Sequence, residues 1–163
     1  MLSIKKILIP IDGSESSMEA LRYASSFASQ FNITIYLMTV IEPHHGMYDA
    51  YAEQIILAQR ETEIMAVVKE RLEETEKKAA EMGIKNIITA TRVGSPYEKI
   101  IELAEEEKID LIVMGTHGRS GIAHFLIGSV TEKVIRTSPC PVLVIRPDIH
   151  GLIDNNRNNQ SSQ

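Results

Sequence analysis

Residues 111–137 read Leu111-Ile-Val-Met-Gly-Thr-His-Gly-Arg-Ser-Gly-Ile-Ala-His-Phe-Leu-Ile-Gly-Ser-Val-Thr-Glu-Lys-Val-Ile-Arg-Thr137. The apolar run at the start predicts a buried strand, and the segment after Ser129 has the spacing of a helix. Glycines punctuate the loop between them. Glycine lets backbone N–H groups approach an anion closely, and the first turn of a helix adds unpaired donors and a positive dipole end. The stretch therefore predicts a strand, a phosphate-binding loop and a helix.

Apolar runs alternate with segments of helical spacing along the rest of the chain. They predict five strands: Lys5–Ile11, Ile33–Ile41, Ile84–Val93, Ile109–Met114 and Val142–Ile145. Strands joined by four helical crossovers predict an α/β fold, with a five-stranded, mostly parallel sheet and helices on both faces. Ligands bind such sheets beyond the carboxyl ends of the strands, where the strand order reverses. Three segments that end strands are expected to line one crevice: Pro10–Asp12, Thr39–Ile41 and Met114–Gly115.

Polar residues mark the predicted helix starts. Ser14 is the expected N-cap of the first helix, and Ser16 with Glu19 forms an alternative capping box. Ser95 and Glu98 flank a proline and form a complete start signal, with Ser95 as the cap.

A long helix is expected from about Tyr51 to Met82. Its apolar residues recur at spacings of three and four, so one face is predicted to pack against the sheet. That face consists of Ile64, Val68, Leu72, Thr75, Ala79 and Met82. The same spacing in the first helix groups Leu21, Ala24, Ala28 and Phe31.

The composition limits the class of protein. The 163 residues, 44% hydrophobic and 24% charged, fit one globular domain at residues 1–147, and the polar residues 148–163 are expected to be a disordered tail. The net charge of −5 disfavours nucleic-acid binding, and no apolar run has the length of a membrane span. The single cysteine, Cys140, excludes an internal disulfide and is expected to be buried and inert. We expect a cytoplasmic protein.

Three segments carry a family resemblance. They are Ile9–Ser14, the run from Val113 to Glu132 with the spacing Gly-x2-Gly-x9-Gly-Ser, and Ser138–Val144. In these segments the chain resembles the universal stress protein family, in its nucleotide-binding branch, over nearly the whole predicted domain. The resemblance implies a Rossmann-like three-layer sandwich of the adenine nucleotide alpha-hydrolase type. It also implies ATP as the ligand, with Mg²⁺ or Mn²⁺ bound through the phosphates.

The resemblance implies roles for individual residues. Val40 would hold adenine through its backbone, and Asp12 would lie near the ribose or a phosphate-bound divalent ion. Arg119, the one permanent cation between Gly115 and Thr131, is expected to compensate phosphate charge. The complete set of expected cofactor-binding residues is Pro10, Asp12, Val40, Met114, Gly115, Thr116, His117, Gly118, Arg119, Ser120, Gly128, Ser129 and Val130.

Several of these residues also have a purely structural interpretation. Asp12 precedes Gly-Ser and is suited to shape a turn, and Ser129 begins a capping box that ends at Glu132. A cap and a phosphate ligand use the same unpaired N–H groups, so sequence leaves both open. His44 and His45 are adjacent and lack a nearby cysteine, so no metal site is expected there.

The loop has glycines but no lysine between Gly115 and Thr131, and it lacks the GxxxxGK[ST] signature of fast phosphoryl transfer. We therefore expect a regulatory stress-response module that binds ATP, acts on an unidentified protein partner, and hydrolyses ATP slowly at most. A nucleotide-dependent hydrolase or transferase on the same scaffold is the alternative. A receiver domain is disfavoured because no acidic cluster accompanies Asp12. The apolar segment Val142–Arg146 comes last and is expected to pair across a homodimer.

Overall fold

The computed structural model describes residues 3–43, 52–116 and 127–146. These contain one sheet of five parallel strands, as the sequence predicts. The strands are β1 (Lys6–Pro10), β2 (Thr34–Ile41), β3 (Asn86–Val93), β4 (Leu111–Gly115) and β5 (Val142–Ile145). β3 and β4 each begin two residues later than the apolar pattern predicts. The expected tail at residues 148–163 lies outside the described residues.

Four helices connect the strands: α1 (Glu15–Ala28), α2 (Ala52–Glu81), α3 (Pro96–Glu106) and α4 (Ser129–Thr137). Two hydrophobic clusters divide them between the faces of the sheet. Leu21 of α1 and Leu72 of α2 pack on one face, whereas Ile100 of α3 and Val134 of α4 pack on the other. The parallel sheet with helices on both faces, predicted from the alternating pattern, is confirmed.

The order of strands in the sheet is β3-β2-β1-β4-β5. The chain moves outward from β1 to β3, crosses back to β4, and then moves outward on the opposite side. The strand order therefore reverses between β1 and β4, and a crevice opens there beyond the carboxyl ends of the strands. β5 lies at one edge of the sheet, as its position in the sequence predicts.

The described residues settle where three helices begin. Ser14 is the N-cap of α1, and its Oγ accepts a hydrogen bond of 3.1 Å from the Ser17 N–H. The alternative capping box of Ser16 and Glu19 is wrong, because Ser16 lies inside α1 and Glu19 pairs with Arg22 of the same helix.

Ser95 occupies the N-cap of α3, but its side chain makes no capping hydrogen bond within the described structure. Glu98 accepts a hydrogen bond from the Tyr97 hydroxyl instead. At α4 the cap is Gly128, with Ser129 as the first helical residue, so of the two interpretations that the sequence leaves open for Ser129, the role of helix cap is wrong.

Three core predictions need correction. Phe31 lies beyond the end of α1 and is 65% exposed, because the helix stops at Ala28 before the pattern does. Cys140 is only partly buried, and this partial burial raises the pKa of its thiol. The predicted face of α2 is buried at Leu72, Thr75 and Ala79 but not at its amino-terminal end.

Candidate functional site

A cavity of about 500 Å³ opens at the carboxyl ends of β1, β2 and β4, where the strand order reverses. This volume is within the range of small-molecule sites in proteins. Its walls come from the strand ends, from one face of α2, and from the first turns of α1, α3 and α4. The lining residues are Pro10, Ile11, Asp12, Ser17, Met38, Val40, Ile41, Glu42, Ile64, Val68, Pro96, Ile100, Met114, Gly115, Gly128, Ser129, Val130 and Thr131.

Eight of the thirteen expected cofactor-binding residues line this cavity: Pro10, Asp12, Val40, Met114, Gly115, Gly128, Ser129 and Val130. Thr116 is buried beside it and is not a lining residue. The other four, His117, Gly118, Arg119 and Ser120, lie outside the described residues, as do His44 and His45. The three strand ends predicted to share a crevice do so, although Thr39 itself does not line it.

Hydrogen bonds fix the ends of β1 and β2 against each other. The Ile11 N–H donates to the Met38 carbonyl at 2.7 Å, and the buried Thr39 Oγ1 donates to the Ile11 carbonyl at 2.9 Å. Backbone groups of alternate residues in a strand point to the same neighbour. Val40 is two residues beyond Met38, so its backbone N–H and C=O point to the side of β1, past the last residue of that strand. They face the cavity.

Asp12 shapes the turn between β1 and α1. Its Oδ1 accepts a hydrogen bond of 2.9 Å from the Ser14 N–H, and Gly13 has a φ of +81° that a side chain would disfavour. The structural interpretation of Asp12 is therefore confirmed. The same residue also lines the cavity.

The end of β4 is tied to the start of α4. The Thr131 Oγ1 donates a buried hydrogen bond of 3.0 Å to the Gly115 carbonyl, and the Gly128 N–H donates one of 2.7 Å to the Thr116 carbonyl. The Thr116 N–H in turn donates to the Ile145 carbonyl of β5 at 3.0 Å. These bonds hold both ends of the glycine-rich segment together and aim the first turn of α4 at the cavity.

The first turn of α4 can bind an anion. Its cap, Gly128, has no side chain to accept hydrogen bonds from the N–H groups of the first turn. Ser129 and Val130 line the cavity at this point, and the helix dipole adds a partial positive charge. An anionic group that enters the cavity therefore finds backbone donors here.

Comparison with known proteins identifies the family of the chain. The model of the universal stress protein family matches residues 3–146. The chain belongs to this family. It is 39% identical to Universal stress protein MJ0531 of Methanocaldococcus jannaschii over 149 residues, which cover 87% of this chain and 82% of that protein.

Two solved structures of the family are similar to this one. MJ0577 of Methanocaldococcus jannaschii is 32% identical, with a TM-score of 0.77 over 87% of this chain and 95% of that one. A universal stress protein in complex with cAMP is 30% identical, with a TM-score of 0.65 over 89% of this chain and 98% of the other. The parallel Rossmann-like sheet of this universal stress protein is thus shared with its relatives.

Sequence reasoning missed several residues of the cavity. Helical spacing places Ile64 and Val68 on the core face of α2, because periodicity groups residues without showing which part of a helix reaches the sheet. Ser17 and Glu42 carried no motif. Glu42 follows the end of β2 directly, so its position after a strand end was a usable signal.

The charged lining residues within the described structure are Asp12 and Glu42, both acidic. No cluster of three or more His, Cys, Asp or Glu with the geometry of a metal site occurs among the described residues. No described helix of this universal stress protein is long and apolar enough to cross a membrane.

Proposed function

We propose that the cavity binds an adenine nucleotide, with ATP as the physiological ligand. The carrying observation is that one cavity joins the cavity-facing backbone of Val40, at the end of β2, to the first turn of α4, beside the end of β4. β2 and β4 are two positions apart in the sheet, so their backbones lie about 10 Å from each other. A nucleoside phosphate has the matching polarity, with a flat base at one end and anionic oxygens at the other.

The base end is assigned to β2. The Val40 N–H and C=O offer one donor and one acceptor to the edge of a base, independently of the side chain. Apolar residues surround this end, including Met38, Ile41 and Ile100. The complex of a 30% identical relative with cAMP supports adenine as the base.

The phosphate end is assigned to α4. Backbone N–H groups of the first turn would donate to the phosphate oxygens, and the hydroxyl of Ser129, an exposed residue, would add a further donor. His117, Gly118, Arg119 and Ser120 are expected to complete this end, as their place in the sequence motif suggests.

A divalent ion is expected to accompany the phosphates. Mg²⁺ is usually held by one or two carboxylates together with phosphate oxygens and water, and Asp12 offers a carboxylate at the cavity. Two acidic side chains would otherwise repel a triphosphate. We expect Mg²⁺ or Mn²⁺ to offset that repulsion and to strengthen ATP binding.

Regulation rather than turnover is the proposed role. The cavity would hold ATP and change how the protein contacts a partner, while hydrolysis stays slow, since the motif contains no lysine to stabilise a transferred phosphate. Turnover above about 1 per second at saturating ATP, the lower end of ordinary enzymes, would contradict this role.

A homodimer through β5 is part of the proposal. β5 is an edge strand whose Val142, Leu143 and Val144 are partly exposed. The carbonyls of Pro141 and Ile145 face β4, so the backbone groups of Val144 point outward by alternation. Val144→Pro would remove an outward N–H without breaking the ladder to β4. We expect sedimentation to show a dimer for the unaltered protein and for Val144→Thr, and a monomer for Val144→Pro.

Mass spectrometry of small molecules released from freshly purified, denatured protein tests the ligand directly. Calorimetry with ATP, GTP and cAMP in the presence of Mg²⁺ then ranks the candidates. We expect adenine nucleotides to be released and ATP to bind more tightly than GTP. Release of no nucleotide, together with no measurable ATP binding at millimolar concentration, would overturn the proposal.

A further inference from the structure

We propose that Ile64 and Val68 of α2 form the wall against which the nucleotide base packs, and that they determine affinity for the base. This inference rests on the proposed function. It adds a surface of the ligand site on α2 that the glycine motif and the strand ends do not contain.

The burial of α2 changes along a single face. Leu72, Thr75 and Ala79 on this face are at most 7% exposed, because they pack on the sheet. Ile64 lies two turns earlier and is 41% exposed, and Val68 is intermediate. The helix therefore extends past the end of the sheet, and its apolar face continues over the cavity, which both residues line.

The base end of the cavity meets this extension. The Val40 side chain packs with the cluster of α3 and α4, so the next side chain, Ile41, points to the opposite face of the sheet. That face carries α1 and α2. Ile41, Ile64 and Val68 thus form an apolar surface at the end of β2, beside the backbone groups assigned to the base.

A flat aromatic base is the occupant that fits this surface. Burial of Ile64 and Val68 by a ligand removes apolar area from water at both partners, which favours binding. In the proposed function, the phosphates of the ligand bind at the first turn of α4, at the opposite end of the cavity. Loss of the wall is therefore expected to weaken binding of ligands that carry a base and to leave phosphate binding intact.

The chain supplies matched controls on the same helix. Met65 and Val67 are 40% and 47% exposed, close to Ile64, but neither lines the cavity. The test compares Ile64→Ala and Val68→Ala with Met65→Ala and Val67→Ala. Calorimetry measures ATP affinity with Mg²⁺ present, and competition against ATP measures the inhibition constant of inorganic tripolyphosphate. Thermal unfolding without ligand monitors folding.

We expect Ile64→Ala and Val68→Ala each to weaken ATP binding by about five- to tenfold, from the apolar area lost. Met65→Ala and Val67→Ala are expected to bind ATP within about twofold of the unaltered protein. The inhibition constant of tripolyphosphate, calculated with the ATP affinity of each variant, should be the same in all four variants. Val68→Thr keeps the shape but replaces one methyl group with a hydroxyl, so it should lose affinity as Val68→Ala does.

Two results would overturn the inference alone. One is equal ATP affinity in the Ile64→Ala, Val68→Ala and control variants. The other is a parallel loss of ATP and tripolyphosphate affinity, which would place the wall at the phosphates. If the unaltered protein binds no nucleotide, the proposed function fails and this inference fails with it.

Discussion

Gly115 lies directly against Ser16: a Cβ placed on Gly115 would come within 2.6 Å of the Ser16 backbone carbonyl carbon. Real Cβ atoms do not approach backbone this closely. The last residue of β4 is therefore a glycine because α1 packs on it, whatever its part in ligand binding. The motif glycine has a structural requirement that its spacing alone does not reveal.

Gly115→Ala is expected to lower the free energy of unfolding by about 2–3 kcal/mol, because backbone must move to relieve the contact. Gly128→Ser is the control. Gly128 has φ −60° and ψ 148°, which any residue adopts, and serine is a favourable N-cap. Urea unfolding measures both variants. If Gly115→Ala had the same free energy of unfolding as the unaltered protein, α1 would have to shift freely away from β4.

Gly128→Asp is expected to weaken ATP binding at least about tenfold in the presence of Mg²⁺. The new carboxylate would stand beside the phosphates at the first turn of α4, and like charges repel strongly at short range. Gly128→Asn is nearly the same size and also caps a helix well, so it should stay within about threefold. Calorimetry compares the pair. If Asp and Asn variants bind ATP equally, the phosphates do not lie at α4.

Asp12→Asn separates the two roles of this side chain. The amide oxygen can still accept the hydrogen bond from the Ser14 N–H, so stability should change by less than about 0.5 kcal/mol. Asp12→Ala loses that bond and should cost about 1 kcal/mol.

The effect of Asp12→Asn on ATP binding is expected to depend on the metal. With Mg²⁺ the variant should bind ATP about tenfold more weakly than the unaltered protein, because a carboxylate ligand is lost. With EDTA it should bind at least as tightly, since a negative charge facing the phosphates has gone. A loss of the same size in both conditions would contradict the assignment of Asp12 to the metal.

The hydroxyl of Tyr36 contributes a part of the folding stability that depends on pH in the alkaline range. Burial raises the pKa of its hydroxyl above the ordinary value of 10.0, and a 2.8 Å hydrogen bond to Glu107 Oε2 raises it further. The unfolded chain therefore ionises first. This contribution to stability is complete below pH 10 and is lost as the pH rises through the folded-state pKa.

Tyr36→Phe should remove that part of the pH dependence. At neutral pH the variant should be less stable by about 1 kcal/mol, from the lost hydrogen bond, and the difference should shrink above pH 10. Urea midpoints from pH 7 to pH 11 measure both proteins. A difference that is constant over this range would show that Tyr36 titrates normally in the folded state.

Most of the fold could be predicted because strand and helix patterns alternate clearly, and right-handed crossovers leave few topologies. The carboxyl-end crevice followed from the same rule. The α2 wall could not be predicted, because Ile64 and Leu72 follow the same helical spacing while only one of them reaches the sheet. The cap of α4 could not be decided from the sequence, because Gly128 and Ser129 are both acceptable caps. The structure decides for Gly128, whose carbonyl accepts the first helical hydrogen bond, from the Glu132 N–H at 2.9 Å.

The walls of the cavity come from residues as far apart in the chain as Pro10 and Thr131. A growing polypeptide that ends before α4 has no complete site, and neither does a chain in which β4 has not yet joined β1. A nucleotide would thus bind only the finished domain, and it would add RT ln(1 + [L]/Kd) to its stability. At a hundredfold excess over Kd this amounts to about 2.7 kcal/mol. Nucleotide bound as proposed would then reduce the unfolded fraction that proteases attack, independently of any partner that the protein contacts.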